Sequence, residues 1–336
     1  MKKALLVVSM AILSLSLVFA AGGKEEGPKK GQYVIKTGIG YNDQSLQYKT
    51  LEFMKAHLEA ATDGVVTMQL YHSSTLGDDL AILEGLQLGT VEMFCGTIGP
   101  ASQWSNAVKL FDLPFLFTSY AEVDALLDGP VGQEVLDSLK PAGMIGVGYW
   151  ENGFRQLTNS KRAVRTPGDI VGLKLRTMPT PVPLATFRLL GANPTPMNFG
   201  EVFTAMQQGV VDGQENPWET ILANKFYEVQ KYATNTGHVY SPFGVIFSQK
   251  FWDRLPAEYQ TAVREAVFAA RDFNRTSARE SEQKIIAELS KYMEITILTP
   301  EEIKPFQELT RPVYDQFAQE IGPELVQKAI DFLANL

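Results

Sequence analysis

Cysteine is nearly absent. Cys95 is the only one in 336 residues, so no intrachain disulfide can form and stability must come from a buried core, which a chain this long can supply. Cys95 lies in the apolar run 91–95 and reads as a small buried hydrophobe. Histidine is scarce too: His57, His72 and His238 are scattered, with no metal-ligand spacing among them. The sequence has no H-E-x-x-H, no glycine-rich phosphate loop followed by Lys, and no G-x-S-x-G. Gly38-Ile39-Gly40 lacks the third glycine of a dinucleotide fingerprint. Asp78-Asp79 reads as the acidic start of a helix before it reads as a cation site. No cofactor, metal or catalytic residue is therefore expected. An excess of positive charge is missing as well; the net charge of −8 argues against nucleic acid as a partner. Repeats, low-complexity tracts and flexible linkers are absent, which disfavours a structural surface protein.

Long apolar runs are confined to the start. Lys2 and Lys3, the apolar run 5–19 and the small residues Ala20 and Ala21 have the layout of a secretory signal cleaved near Ala20-Ala21, with residues 22–32 a flexible tail. No later segment is apolar enough to span a membrane, so an exported, soluble, periplasmic chain is expected. The remaining composition, 45% apolar and 20% charged, is ordinary for a globular protein, and the length exceeds one typical domain. Two lobes are the expectation.

The patterning supports an α/β chain. Residues 33–39 alternate as a strand, 47–62 carry apolar residues at helical spacing, and 65–71 form a second strand, which makes a βαβ unit. A helix closed by Gly89 leads to a strand over 90–95; two short helices follow, and then a strand over 144–150. Residues 110–117 are apolar and Pro-broken, hence buried irregular chain. Helical signal returns over 226–232, a strand over 238–247, and a helix over 256–289 long enough to cross both lobes. A β-like patch at 295–298 and helices over 300–310 and 312–336 complete the chain. Residues 83–92 and 203–212 echo one another as helix, glycine, short strand and acid.

Residues 172–220 organise the rest. An apolar strand delivers Arg176 to its end, where a Pro-rich turn (179–183) immobilises the chain. Two helices closed by Gly191 and Gly209 follow, then a short strand at Val210 and Val211, then the polar run 212–216. An arginine fork meets a carboxylate through two parallel charge-assisted hydrogen bonds and stays charged at any relevant pH. Asn216, held extended by Pro217, offers both a donor and an acceptor, or serves as a turn residue. The pattern points to an anion site. Tyr41, beside Gly40, is a further candidate, and Trp150 and Trp218 either line an aromatic wall or belong to the core.

Several blocks carry a resemblance: GLKLR at 172–176, GANPTPMNFGEVFTAMQQGVVDGQENP at 191–217, NGFRQLTNSKR at 152–162 and FYEVQKY at 226–232. They resemble the DctP-type solute-binding proteins of tripartite ATP-independent periplasmic (TRAP) transporters, in register over nearly the whole mature chain. The resemblance implies a two-lobed periplasmic-binding-protein-like fold, each lobe a mixed sheet flanked by helices, joined by hinge strands and a long spanning helix. It places lobe I at 33–152 plus 242–281 and lobe II at 153–241 plus 282–336. It implies a monomer that takes a small carboxylate ligand and hands it to the membrane subunits of a TRAP permease, without ATP. It makes Arg176 the carboxylate clamp and adds Arg155, Asn216, Phe199 and Asp79 to the site. Gly200 stands where the family often has a helix-capping Ser, and Trp218 where an aliphatic residue is common. Gly96 and Gly99 replace the Glu and Arg of sialic-acid binders, against that ligand. The alternatives are a binder serving a sensor kinase or another transporter, or an exported enzyme using Glu215 or Glu219 as base.

Overall fold

A computed structural model describes residues 29–336; the signal segment and residues 22–28 of the tail lie outside the described residues. In chain order the first half holds β1 (Tyr33–Gly38), α1 (Leu46–Ala61), β2 (Val66–Tyr71), α2 (Asp79–Leu88), β3 (Met93–Thr97), α3 (Tyr120–Leu127), α4 (Pro130–Asp137) and β4 (Met144–Phe154). The chain then passes through β5 (Gln156–Asn159), β6 (Lys174–Thr177), α5 (Pro181–Leu189), β7 (Asn193–Pro196), α6 (Val202–Gln207), β8 (Gly213–Asn216), α7 (Trp218–Ala223) and β9 (Tyr232–Thr234). It ends with β10 (Tyr240–Ser248), α8 (Gln249–Trp252), α9 (Ala257–Leu289), β11 (Glu294–Thr296), α10 (Pro300–Thr310), α11 (Pro312–Ile321) and α12 (Pro323–Ala334).

These strands form two sheets, one per lobe. The first has the order β2-β1-β3-β10-β4 and the second β11-β9-β5-β8-β6-β7. β1, β2 and β3 are parallel, as their crossover helices require, while β10 runs antiparallel between β3 and β4. The chain leaves the first sheet between β4 and β5 and returns between β9 and β10. Arg155 sits at the first crossing, and its backbone N–H donates to the Val239 carbonyl on the second at 2.8 Å. The two hinge strands are therefore bonded where the lobes join.

The third connection is α9, whose 33 residues reach about 50 Å. Val263, Val267 and Ala270 pack in the first-lobe core, and Leu289 packs in the second. Arg279, between them, binds both Asp124 oxygens at 2.7 Å and Glu151 at 2.8 Å, so the helix is tied to α3 and to the end of β4. The expected division gives residues 282–336 to lobe II, and the structure differs beyond residue 311. Val313, Phe317 and Ile321 of α11 and Leu325, Val326 and Ala329 of α12 share one core with Val123, Val131 and Val135 of α3 and α4. The cause is an apolar face at spacing four, which finds its apolar partner on the first lobe; Phe306 of α10 stays with the second.

The second sheet also departs from its pattern. The strand expected at Val210 and Val211 is instead the polar run β8, all four residues of which are buried. Val211 packs inward beneath α6, whereas β8 lies between β5 and β6. Gly213 makes this possible, since a Cβ there would lie 2.1 Å from the Thr158 carbonyl oxygen. The polar side chains are matched in turn: Gln214 donates to Thr158 at 3.0 Å and Asn216 to Gln214 at 2.5 Å. The Pro-framed loop forms the edge strand β7 against β6, where a proline costs no interior ladder bond. The helix expected over 226–232 is a single turn followed by β9.

Gly213→Ala should destabilise the fold by about 1–3 kcal/mol or more, read as a lowered melting temperature. Gly168→Ala, where the nearest atom to a new Cβ is 3.6 Å away, should leave the melting temperature unchanged.

Candidate functional site

The two lobes meet around a small, nearly filled cavity with about 40 Å³ of open space. Asp78 caps α2 through its Oδ1, which accepts from the Ala81 N–H at 2.9 Å, and that cap brings Asp79 to the cavity. β1 ends at the turn that carries Tyr41. From the other lobe come Arg176 on β6, Asn216 at the end of β8, and the loop 198–200 before α6. The segments 78–80 and 198–200, which lead into the two echoing helices, thus face one another, although Asp78 caps its helix and Asn198 makes no cap bond. This is the geometric content of the sequence echo.

Contacts across the mouth hold the lobes together. The Asn198 amide donates to Asp78 Oδ2 at 2.6 Å, and the Tyr41 and Phe199 rings stack at 4.7 Å. Farther back the Asn42 amide donates to the Ala223 carbonyl at 2.8 Å. Glu219 Oε1 accepts from the Leu46 N–H at 2.9 Å, at the start of α1.

Arg176 is 2% exposed. Its Nε and Nη2 donate to the Met197 carbonyl at 3.0 and 2.7 Å, which fixes the guanidinium plane and leaves three N–H groups uncommitted. Among the described residues no carboxylate lies within ion-pair distance of it. Burial pulls its pKa down to about 10, with Arg155 adding repulsion and Glu215 opposing it, so it remains a cation at neutral pH. Arg155 is placed differently. It binds the Glu215 carboxylate through Nε and Nη2 (2.9 Å from Nη2 to Oε1) and the Glu215 carbonyl at 2.6 Å. His238 contacts the same carboxylate at 3.2 Å and Thr236 at 2.8 Å. Although burial opposes ionisation of Glu215, the Arg155 charge and the hydrogen bonds bring it down to about 2. Glu215 is thus a committed counter-ion, and a poor base.

Asp79 accepts no hydrogen bond among the described residues. Burial and repulsion from Asp78 push its pKa up to about 7, against the pull of Arg176. Gly96 leaves room for it, since a Cβ there would lie 3.1 Å from Asp79 Oδ1. Burial likewise raises the Tyr41 hydroxyl to about 12. Beside Gly99, whose Cβ would lie 3.1 Å from its Oδ2, is Asp112, buried, that oxygen without a hydrogen-bond partner among the described residues, and its pKa raised by burial to about 7.

The structure brings Arg176, Arg155, Asn216, Phe199, Asp79 and Tyr41 to this one cavity. Trp150 and Trp218 are corrected. The Trp150 indole lies in the first-lobe core and donates to the Val267 carbonyl at 2.9 Å, because its position on β4 points toward α9. Trp218 packs with Ile221, Phe226 and Leu289 in the second-lobe core. Sequence reasoning missed Asn198 and Thr97 as lining groups and saw Asp78 only as a cap. The pairing of Glu215 with Arg155 across 60 positions had no local signal. No group of three or more metal-ligating side chains occurs among the described residues.

Two outcomes follow from the buried charges. Glu215→Gln strands the Arg155 cation and should cost about 3–5 kcal/mol in a denaturant titration. The raised pKa of Asp112 means that its native-state contribution is lost as pH rises from about 4 to about 7. Asp112→Asn should therefore gain on the parent across that window, by a few kcal/mol at most at about 1.4 kcal/mol per pKa unit, and no further above it, as followed by melting at each pH.

Comparison with known proteins agrees with this architecture. Residues 38–320 match the family model of bacterial extracellular solute-binding protein, family 7 (DctP). A solute-binding protein of Verminephrobacter eiseniae is 38% identical over 297 residues, 88% of each chain. The sugar acid binding protein of Advenella mimigardefordensis, solved in complex with galactonate, superposes with a TM-score of 0.88 at 34% identity, covering 91% of this chain and 99% of that one. A TRAP periplasmic solute-binding protein of Sulfurospirillum deleyianum with bound succinate gives 0.84 at 32% identity, covering 89% and 98%. With two lobes, hinge strands, a spanning helix and a buried cleft arginine in place, the chain belongs to the DctP family of TRAP-type extracellular solute-binding proteins.

Proposed function

We propose that Arg176 holds the carboxylate of a small organic acid between the lobes, and that the loaded protein presents it to the membrane subunits of a TRAP permease. One observation carries this reading: Arg176 is a buried cation with no carboxylate partner among the described residues, and its guanidinium is already oriented by the Met197 carbonyl. A desolvated, oriented cation of this kind gains most from an anion that supplies two parallel acceptors. Asn216 and Asn198 add neutral hydrogen-bonding groups, and Phe199 on Tyr41 supplies an apolar lid. Arg155 supports the site from behind, its own charge matched by Glu215.

The protein acts by binding without turnover, as a periplasmic monomer released from a cleaved signal segment. Glu215, held ionised in its ion pair, supports this, since it has no capacity to take a proton near neutral pH. Relatives in the family bind galactonate in one case and succinate in another, and both are small acids.

Native mass spectrometry of the purified protein should release a co-purified acid unchanged. In calorimetry with that acid, Arg176→Ala should weaken binding at least about thirtyfold, the lower end of a 2–5 kcal/mol loss for a buried charged contact. Near-parental affinity in the variant would refute the clamp. Steady loss of the acid during incubation would point to an enzyme instead.

A further inference from the structure

We propose that the cavity selects an acid with one carboxylate and several hydroxyl groups over the corresponding dicarboxylate, with Asp79 as the residue that sets the choice. This inference rests on the carboxylate-binding reading above and deepens it.

It follows from a count of charges around the cavity. The ionisable lining groups from the second lobe are Arg176 and Arg155; from the first they are Asp78, Asp79 and the high-pKa phenol of Tyr41. Arg155 is matched by Glu215 on the hinge. Asp78 has both oxygens engaged, by the Ala81 N–H and by the Asn198 amide. Among the described residues that leaves one lining cation without a counter-charge, Arg176, and one lining carboxyl group without a hydrogen bond, Asp79, on opposite lobes of a single cavity. The remaining polar lining groups, Ser74, Thr97, Asn198 and Asn216, are neutral.

A bound acid that places its carboxylate on Arg176 extends its far end toward the first lobe. A hydroxyl there donates to ionised Asp79 or exchanges a hydrogen bond with its neutral form, so it is accommodated in either state. A second carboxylate there either meets an ionised Asp79 with no uncompensated cation among the other described lining groups to offset the repulsion, or requires Asp79 to take up a proton first, a cost that a hydroxyl does not incur. Gly96 contributes by absence: a Cβ there would crowd the Phe94 ring at 2.7 Å and Asp79 Oδ1 at 3.1 Å.

The test compares matched pairs by calorimetry at pH 7.5 on the full mature protein: galactonate with galactarate, and erythronate with meso-tartrate, with succinate as the acid lacking hydroxyls. In whichever pair binds, the monocarboxylate should be at least about tenfold tighter. Asp79→Asn should narrow that ratio below about threefold by strengthening the dicarboxylate, with an unchanged circular dichroism spectrum. Tighter binding of the dicarboxylate by the parent protein would overturn the inference while leaving the Arg176 reading intact, and this comparison needs no variant. An unchanged ratio in folded Asp79→Asn would also overturn it. If no acid in the panel, nor any co-purified acid, bound the parent, the carboxylate reading would fail and this inference with it.

Discussion

The ion pair between Arg155 and Glu215 is the constraint on which the rest of the molecule depends. Arg155 lies at one interlobe crossing, His238 at the other, and Glu215 on β8 of the second sheet. One buried carboxylate therefore ties both hinge strands to the sheet that presents Arg176 and Asn216 to the cavity. The pair is held by several hydrogen bonds from fixed directions, which fixes the joint where the lobes meet. It also settles the polar character of β8: a strand carrying Gln, Glu and Asn is buried because each side chain finds its partner within the same layer.

The pair has an electrostatic effect on the cavity. By neutralising the arginine nearest the hinge, Glu215 leaves Arg176 as the one unbalanced cation among the described residues that line the pocket. Two free guanidinium groups would make a site for two negative charges. One makes a site whose strength is concentrated at a single point, with the neighbouring amides and ring faces left to shape what surrounds it.

Much of this was legible in the sequence, and the reasons differ from place to place. The first lobe read well because its strands alternate and its helices carry caps: Asp78 and Gly89 bound α2 as their chemistry requires, and α1 keeps its apolar spacing. Arg176 stood out because a Pro-rich turn follows it. β8 was illegible because Gly, Gln, Glu and Asn are poor strand formers alone, and their fit depends on partners 56 and 60 positions away. Trp150 and Trp218 misled because an aromatic beside a site motif has the same local signature whether it faces the cleft or the core. The placement of α11 and α12 was hidden for a related reason: an amphipathic face shows that something must be covered, not which lobe offers the cover.

The bond from Asn198 to Asp78 and the Tyr41–Phe199 stack join the lobes directly, protein to protein. Each such contact lowers the free energy of the shut form whether or not it is loaded, and so narrows the gap that cargo must close. The same contacts thus work in two directions. They slow the escape of a captured acid, and they raise the population of shut but empty molecules, which any acceptor that recognises the shut shape would encounter as decoys. The strength of a single amide–carboxylate bond at the rim therefore sets a compromise between retention and fidelity of delivery.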